Sequence, residues 1–116
     1  MPITPLLEVF FYRSNNGSEP VRDWLKSLTI NERKTIGTDI KTVQYGWPIG
    51  MPLVRHLDKE IWEIRSHLET RIARVLFTTQ PKIIVLLHGF IKKQQKTPKQ
   101  ELEIALKRLN ILKGKK

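Results

Sequence analysis

Residues 61–96 read IWEIRSHLETRIARVLFTTQPKIIVLLHGFIKKQQK, and this stretch decides the fold. It divides into three strands, Ile61–Arg65, Arg71–Thr79 and Lys82–Ile91, followed by the basic, glutamine-rich run Lys92–Lys96. Ile83 to Leu87 form the most apolar run of the chain. A short run of branched aliphatics suits an inner strand covered on both faces. In the first strand Trp62 and Ile64 alternate with Glu63 and Arg65, which places Arg65 on the opposite face from Trp62 and Ile64. In the second, Arg71, Ala73, Val75 and Phe77 share one parity and Ile72, Arg74 and Leu76 the other. Arg74 therefore sits among apolar neighbours and needs an anionic partner, from within the protein or brought to it. The connectors, 67–70 and 80–81, are short enough for antiparallel hairpins.

Upstream, the run Leu7 to Tyr12 has the β-branched and aromatic composition of a strand. Arg13 to Gly17 is a loop. Ser18 is the expected N-cap of a helix with Glu19 and Pro20 in its first turn, and Val21, Trp24, Leu25 and Leu28 recur at helical spacing. Thr29 and Glu32 have capping-box spacing and restart a helix that carries Ile36, Ile40 and Val43 on one face. Gly46-Trp47-Pro48 ends it. Residues 47–59 read as an ordered loop. Downstream, Thr97-Pro98-Lys99-Gln100 reads as N-cap, N1 proline and N3 glutamine of a last helix with Leu102, Ala105, Leu106 and Leu109 on its apolar stripe. The expected fold is a small α+β domain of order β-α-α-β-β-β-α. A mainly antiparallel sheet with the first strand inserted in it packs against an N-terminal helical hairpin and a C-terminal helix. One domain spans residues 1–116, with 113–116 a disordered tail.

The chain has 116 residues, enough for a core without staples, and a formal net charge of +10. Residues 92–116 hold nine Lys/Arg against two Glu, and residues 1–91 hold twelve against nine Asp/Glu. The surplus favours a polyanionic partner: nucleic acid, an acidic protein or a membrane surface. Without cysteine there are no disulfides or thiolate metal sites. No apolar run reaches the roughly 18 residues of a membrane span, and the N-terminus lacks the pattern of a signal peptide. The expected location is cytoplasmic.

His56, His67 and His88 lack metal-ligand spacing, and Gly46, Gly50 and Gly89 stand too far apart for a phosphate loop, so neither metal nor cofactor is expected. His88, at the end of the apolar strand, reads either as a packed, hydrogen-bonded histidine or as a proton-transfer group. What remains is a cluster of cations: Arg65, Arg74, Lys92 and Lys93 come from neighbouring strands and the exit of the last one. Arginine forks match phosphate oxygens and lysine adds a mobile charge, so the cluster could hold RNA phosphate and stabilise a phosphorane-like transition state. The competing reading pairs each arginine with a local acid, Glu63 or Glu69.

The runs Ile61 to Arg65, Arg71 to Phe77 and Ile84 to Lys93, with Lys96-Thr-Pro-Lys-Gln-Glu101 and Ala105, resemble the phage-derived Gp49-like, HigB-type branch of the RelE/ParE toxin superfamily. Leu-Leu-His-Gly-Phe-x-Lys-Lys followed closely by Lys-Thr-Pro is the most specific part, and the likeness extends from about Leu7 to Leu112. The resemblance implies a RelE-like fold and the toxin of a type II toxin–antitoxin system. Such a toxin is a metal-independent, ribosome-dependent mRNA endonuclease held by an antitoxin with a helix-turn-helix domain. By position it implies catalytic roles for Arg65, Arg74 and Lys92 or Lys93; His88 joins them as the proton-transfer candidate. Arg55, Lys59, Arg71, Lys92 and Lys96 are the expected RNA contacts. The chain departs from the RelE pattern in having no tyrosine near its C-terminus, only Tyr12 and Tyr45. A ParE-like inhibitor of DNA gyrase, or an inactive relative that only binds its antitoxin, is the alternative that fold likeness leaves open.

Overall fold

Every side chain from Ala73 to Thr78 is buried, because β4 (Ile72–Gln80) runs through the middle of a five-stranded sheet. The structure, a computed structural model, describes residues 6–92 and 96–114, Lys92 by its backbone alone. β3 (Ile61–His67) and β5 (Ile83–Lys92) flank β4, both antiparallel to it. β2 (Val54–Asp58) pairs antiparallel with β3 at one edge, and β1 (Glu8–Phe11) pairs parallel with β5 at the other. Three helices complete the chain: α1 (Pro20–Lys26), α2 (Ile30–Gly46) and α3 (Lys99–Leu112). The expected α+β class, the mainly antiparallel sheet and the two hairpins stand.

Four expectations are corrected. The loop read over 47–59 contains β2, a polar edge strand whose pairing to β3 supplies what its composition lacks. The first strand lies at the edge of the sheet rather than inside it. Glu19, not Ser18, is the N-cap of α1, with Pro20 opening the helix. Pro98, not Thr97, is the N-cap of α3, so the Thr97 hydroxyl is released for another partner. The capping box of α2 forms as read: Glu32 N–H donates to Thr29 Oγ1 and Thr29 N–H to Glu32 Oε1, each at 3.1 Å. Of the expected disordered tail, Lys113 and Gly114 close the end of α3, and Lys113 Nζ pairs with Glu60. Lys115 and Lys116 lie outside the described residues.

The sheet separates two cores. On one face Ile36, Ile40 and Val43 of α2 cover Ile64, Val75, Phe77, Ile84 and Leu86, with Trp24 of α1 packed at the margin. Gly89 is required there: a Cβ would stand 2.3 Å from Cε3 of Trp24, so α1 lies directly on the β5 backbone. On the other face Ala105 and Leu109 of α3 cover Leu76, Val85, Leu87 and Phe90. The β4–β5 register shifts between Leu76, opposite His88, and Phe77, opposite Leu86. Leu87 is the extra residue of this bulge, and both Leu87 and His88 reach the α3 side. Among the described residues no helix is long and apolar enough to cross a membrane.

Candidate functional site

Strand register brings the arginines together. Arg65 of β3 stands directly opposite Arg74 of β4, which stands opposite Phe90 of β5. On the next rung of the same face, Arg55, Glu63, Leu76 and His88 line up across β2, β3, β4 and β5. Two like charges directly opposite each other on a sheet repel. Glu63 answers that repulsion. Its carboxylate, fully buried, lies 3.8 Å from Arg65 Nε and 3.9 Å from Arg74 Nη1. Thr97 donates its hydroxyl hydrogen to Glu63 Oε2 and accepts one from Arg74 Nη1 at 3.3 Å. The segment leading into α3 is thereby tied to the sheet at the arginine pair.

The members of this group differ in access. Arg74 is fully buried, whereas the Arg65 side chain keeps 10% of its exposure and Arg55 is exposed. Burial pushes the Arg74 guanidinium below its ordinary pKa, Glu63 opposes that shift, and Arg65 and Arg55 add to it. Arg55 and Arg65 therefore both act on the Arg74 charge.

A second polar group sits farther along β5. His88 Nε2 lies 2.7 Å from Glu101 Oε1 of α3, and its Nδ1 lies 3.3 Å from Arg108 Nη1. Arginine has donors only, so Nδ1 is the accepting nitrogen and Nε2 carries the hydrogen given to Glu101. Arg108 also donates to the Leu87 carbonyl at 2.8 Å, and Phe90 stacks on the imidazole with ring centres 5.5 Å apart. Burial lowers the His88 pKa; Glu101 works against that shift and Arg108 with it. His88 is thus packed, with both ring nitrogens engaged.

Of the other residues picked out in the sequence, Lys96 is exposed and adjoins Thr97 at the margin of the arginine pair. Lys92 ends β5 opposite Ile72. Its side chain, and Lys93 entirely, lie outside the described residues. Arg71 is not brought to the cluster: its Nε and Nη2 donate to Glu32 Oε2 of α2 at 3.0 and 2.8 Å, bracing the sheet to the helix. That pair and a backbone hydrogen bond from the Glu32–Thr29 capping box hold the Glu32 carboxyl below its usual pKa, the backbone bond contributing most. Lys59 is exposed in the β2–β3 turn, away from the Arg65–Arg74 rung. Among the described residues no three His, Asp or Glu side chains gather as metal ligands.

Thr97, Glu101 and Arg108 were not picked out for a site from sequence; Glu63 was, in the competing reading, as a local acid for an arginine, and it lies against both Arg65 and Arg74. Glu63 was readable, since it shares the parity of Arg65 and falls one rung away. Glu101 and Arg108, two helical turns apart on α3, carry no local signal of the histidine they share.

These residues fall inside a segment with known relatives. A family model described as phage derived protein Gp49-like (DUF891) matches residues 23–110. The chain belongs to this family. Among curated proteins none matches it. The Gp49-like match runs from α1 to the last turn of α3, and so spans the arginine rung, Glu63, Thr97 and the His88 group, leaving β1 outside.

Proposed function

We propose that this Gp49-like chain is the toxin of a type II toxin–antitoxin pair, a HigB-type endoribonuclease that cuts message on the ribosome in the cytoplasm. The observation that supports this most is the Arg65–Arg74 rung with Arg55 beside it: among the described residues, three guanidiniums of this group on one sheet face, with the Glu63 carboxylate between Arg65 and Arg74. Such a surplus attracts an RNA phosphodiester and favours the more highly charged phosphorane still more, without requiring a metal ion for charge stabilisation. Arg65 and Arg55 would touch the phosphate, and Arg74, behind them, would add its field. Lys96, Lys92 and Lys59 would hold flanking phosphates. Lys93 would assist in charge or proton transfer, and His88, tied to Glu101 and Arg108, would help fix α3 to the sheet. In the reaction the ribose 2′-oxygen bonds to phosphorus and loses its proton, while the bond from phosphorus to the 5′-oxygen breaks and that oxygen gains one. The products are a 2′,3′-cyclic phosphate and a 5′-hydroxyl. An antitoxin with a helix-turn-helix domain and an acidic segment would neutralise the basic surface.

Purified protein added to a translation reaction tests this, by mapping new 5′ ends on the message. Ends with a 5′-hydroxyl, absent without ribosomes and persisting under chelation mild enough to leave ribosomes intact, are expected. Intact message beside gyrase-linked DNA breaks would overturn the reading in favour of a ParE-like inhibitor. Intact message with a tightly held antitoxin and no toxicity would indicate an inactive binding relative.

A further inference from the structure

Glu63 is a costly residue where it stands. The position is fully buried and its partner across the strand is Leu76, so an aliphatic side chain would fit without desolvating a carboxylate. Buried ion groups add little stability over well-packed apolar ones, so stability alone does not account for a carboxylate here; fixing geometry is the other account. The contacts of Glu63 suit that account. Its two oxygens are divided, Oε1 toward Arg65 and Oε2 toward Arg74, and Oε2 also accepts from Thr97. One carboxylate thus lies at ion-pair distance from the mostly buried Arg65 and the fully buried Arg74 and accepts from the segment that leads from Lys96 into α3.

We propose that Glu63, with Thr97 as its link, is the positioning residue of the arginine site, setting the Arg65 guanidinium to meet an RNA phosphate and holding the buried Arg74 charge in place behind it. The proposal rests on the endoribonuclease reading. Charge agrees with it: among the described residues of this group, three arginines against one carboxylate leave two positive charges, enough for the two negative charges of a phosphorane. Without Glu63 the site would be more positive yet less ordered. Ground-state RNA binding would then hold or tighten while transition-state stabilisation falls.

The test is E63Q, which keeps the shape and one accepting oxygen for Thr97 and removes the charge. In the ribosome-dependent cleavage assay kcat should fall about 10- to 100-fold, as expected when reacting groups are displaced by about an ångström, with KM unchanged or lower. With a short single-stranded RNA and no ribosome, E63Q should bind at least as tightly as the parent, with a salt dependence steeper by up to about one unit of slope. A purely structural role predicts less folded protein but unchanged KM, kcat per folded molecule and salt slope; that result would overturn the proposal. If the parent protein cuts no message, the enzyme reading fails, and the RNA-binding arm still decides about Glu63: equal affinity and equal slope would reject it. If E63Q does not fold, T97V decides, since it removes the hydroxyl that joins Glu63 to Arg74 and leaves every charge in place. Loss of one such hydrogen bond should lower kcat about fivefold to tenfold. A folded T97V with the parent's kcat and salt slope would reject the link.

Discussion

The two faces of the sheet do different work. The face under α1 and α2 is an apolar core of the ordinary kind: Ile36, Ile40 and Val43 meet Ile64, Val75 and Phe77. The face under α3 is half core and half polar network. Ala105 and Leu109 cover Leu76, Val85 and Leu87, while Glu63, Arg65, Arg74, Thr97, His88, Glu101 and Arg108 occupy the remainder. One face is an apolar core. The other gives up apolar contact to hold charges in fixed places.

The sharpest way to break this contrast is to truncate one large side chain on each face. Phe77 is fully buried and touches Trp47 and Trp62, with ring centres 5.4 and 6.1 Å away. Phe77→Ala should cost ~3–5 kcal/mol by denaturant titration, yet spare RNA binding per folded molecule. Arg74→Ala should cost a similar ~3–5 kcal/mol, because Glu63 loses a partner in the interior, and should abolish growth arrest as well. Arg74→Ala with unchanged stability and toxicity would leave the polar network without a role.

A smaller effect is expected from Gly89→Ala. The new methyl group would overlap the indole of Trp24, so α1 must shift or the strand must bend. Overpacking of this kind costs ~1–3 kcal/mol, and it should reach the arginine site only weakly because α1 lies on the other face. Thr29→Ala removes half of the capping box and should cost ~1 kcal/mol, with RNA binding intact. Urea unfolding of both variants beside an RNA titration checks these expectations. A Gly89→Ala variant that is as stable as the parent and fails to bind RNA would mean that the two faces are coupled.

Much of this arrangement was legible in residues 61–96. Alternation in Trp62-Glu-Ile-Arg65 and in Arg71 to Phe77 assigned faces correctly, and two antiparallel hairpins then bring Arg65 and Arg74 opposite each other. What stayed hidden depended on distance. β2 reads as loop because Val-Arg-His-Leu-Asp is short and polar, and only its partner β3 makes it a strand. Thr97 satisfies the local rule for an N-cap, but a buried carboxylate 34 residues earlier in the chain claims its hydroxyl. Arg71 is drawn away from the cluster by Glu32, 39 residues away. Local chemistry set every helix and strand except β2, and long-range pairing of charges set which cations lie together.

The mildest perturbation of the polar face is a proton. His88 is held neutral in the folded chain, its Nδ1 accepting from Arg108 and its Nε2–H directed to Glu101. Burial lowers its pKa below the ordinary 6.5, and Arg108 assists, against the pull of Glu101. In the unfolded chain the imidazole takes up a proton as the pH falls through about 6.5, while the folded chain still refuses one, so the unfolded state gains. The contribution of His88 is therefore complete above that pH and is lost progressively as the pH drops toward the folded value. Between pH 7.5 and 5 the melting temperature of the parent should fall more steeply than that of His88→Gln, which has no proton to take up. A parent protein that gained stability relative to His88→Gln on acidification would show that Glu101 outweighs burial. The imidazolium would then be the form that docks α3 on the sheet.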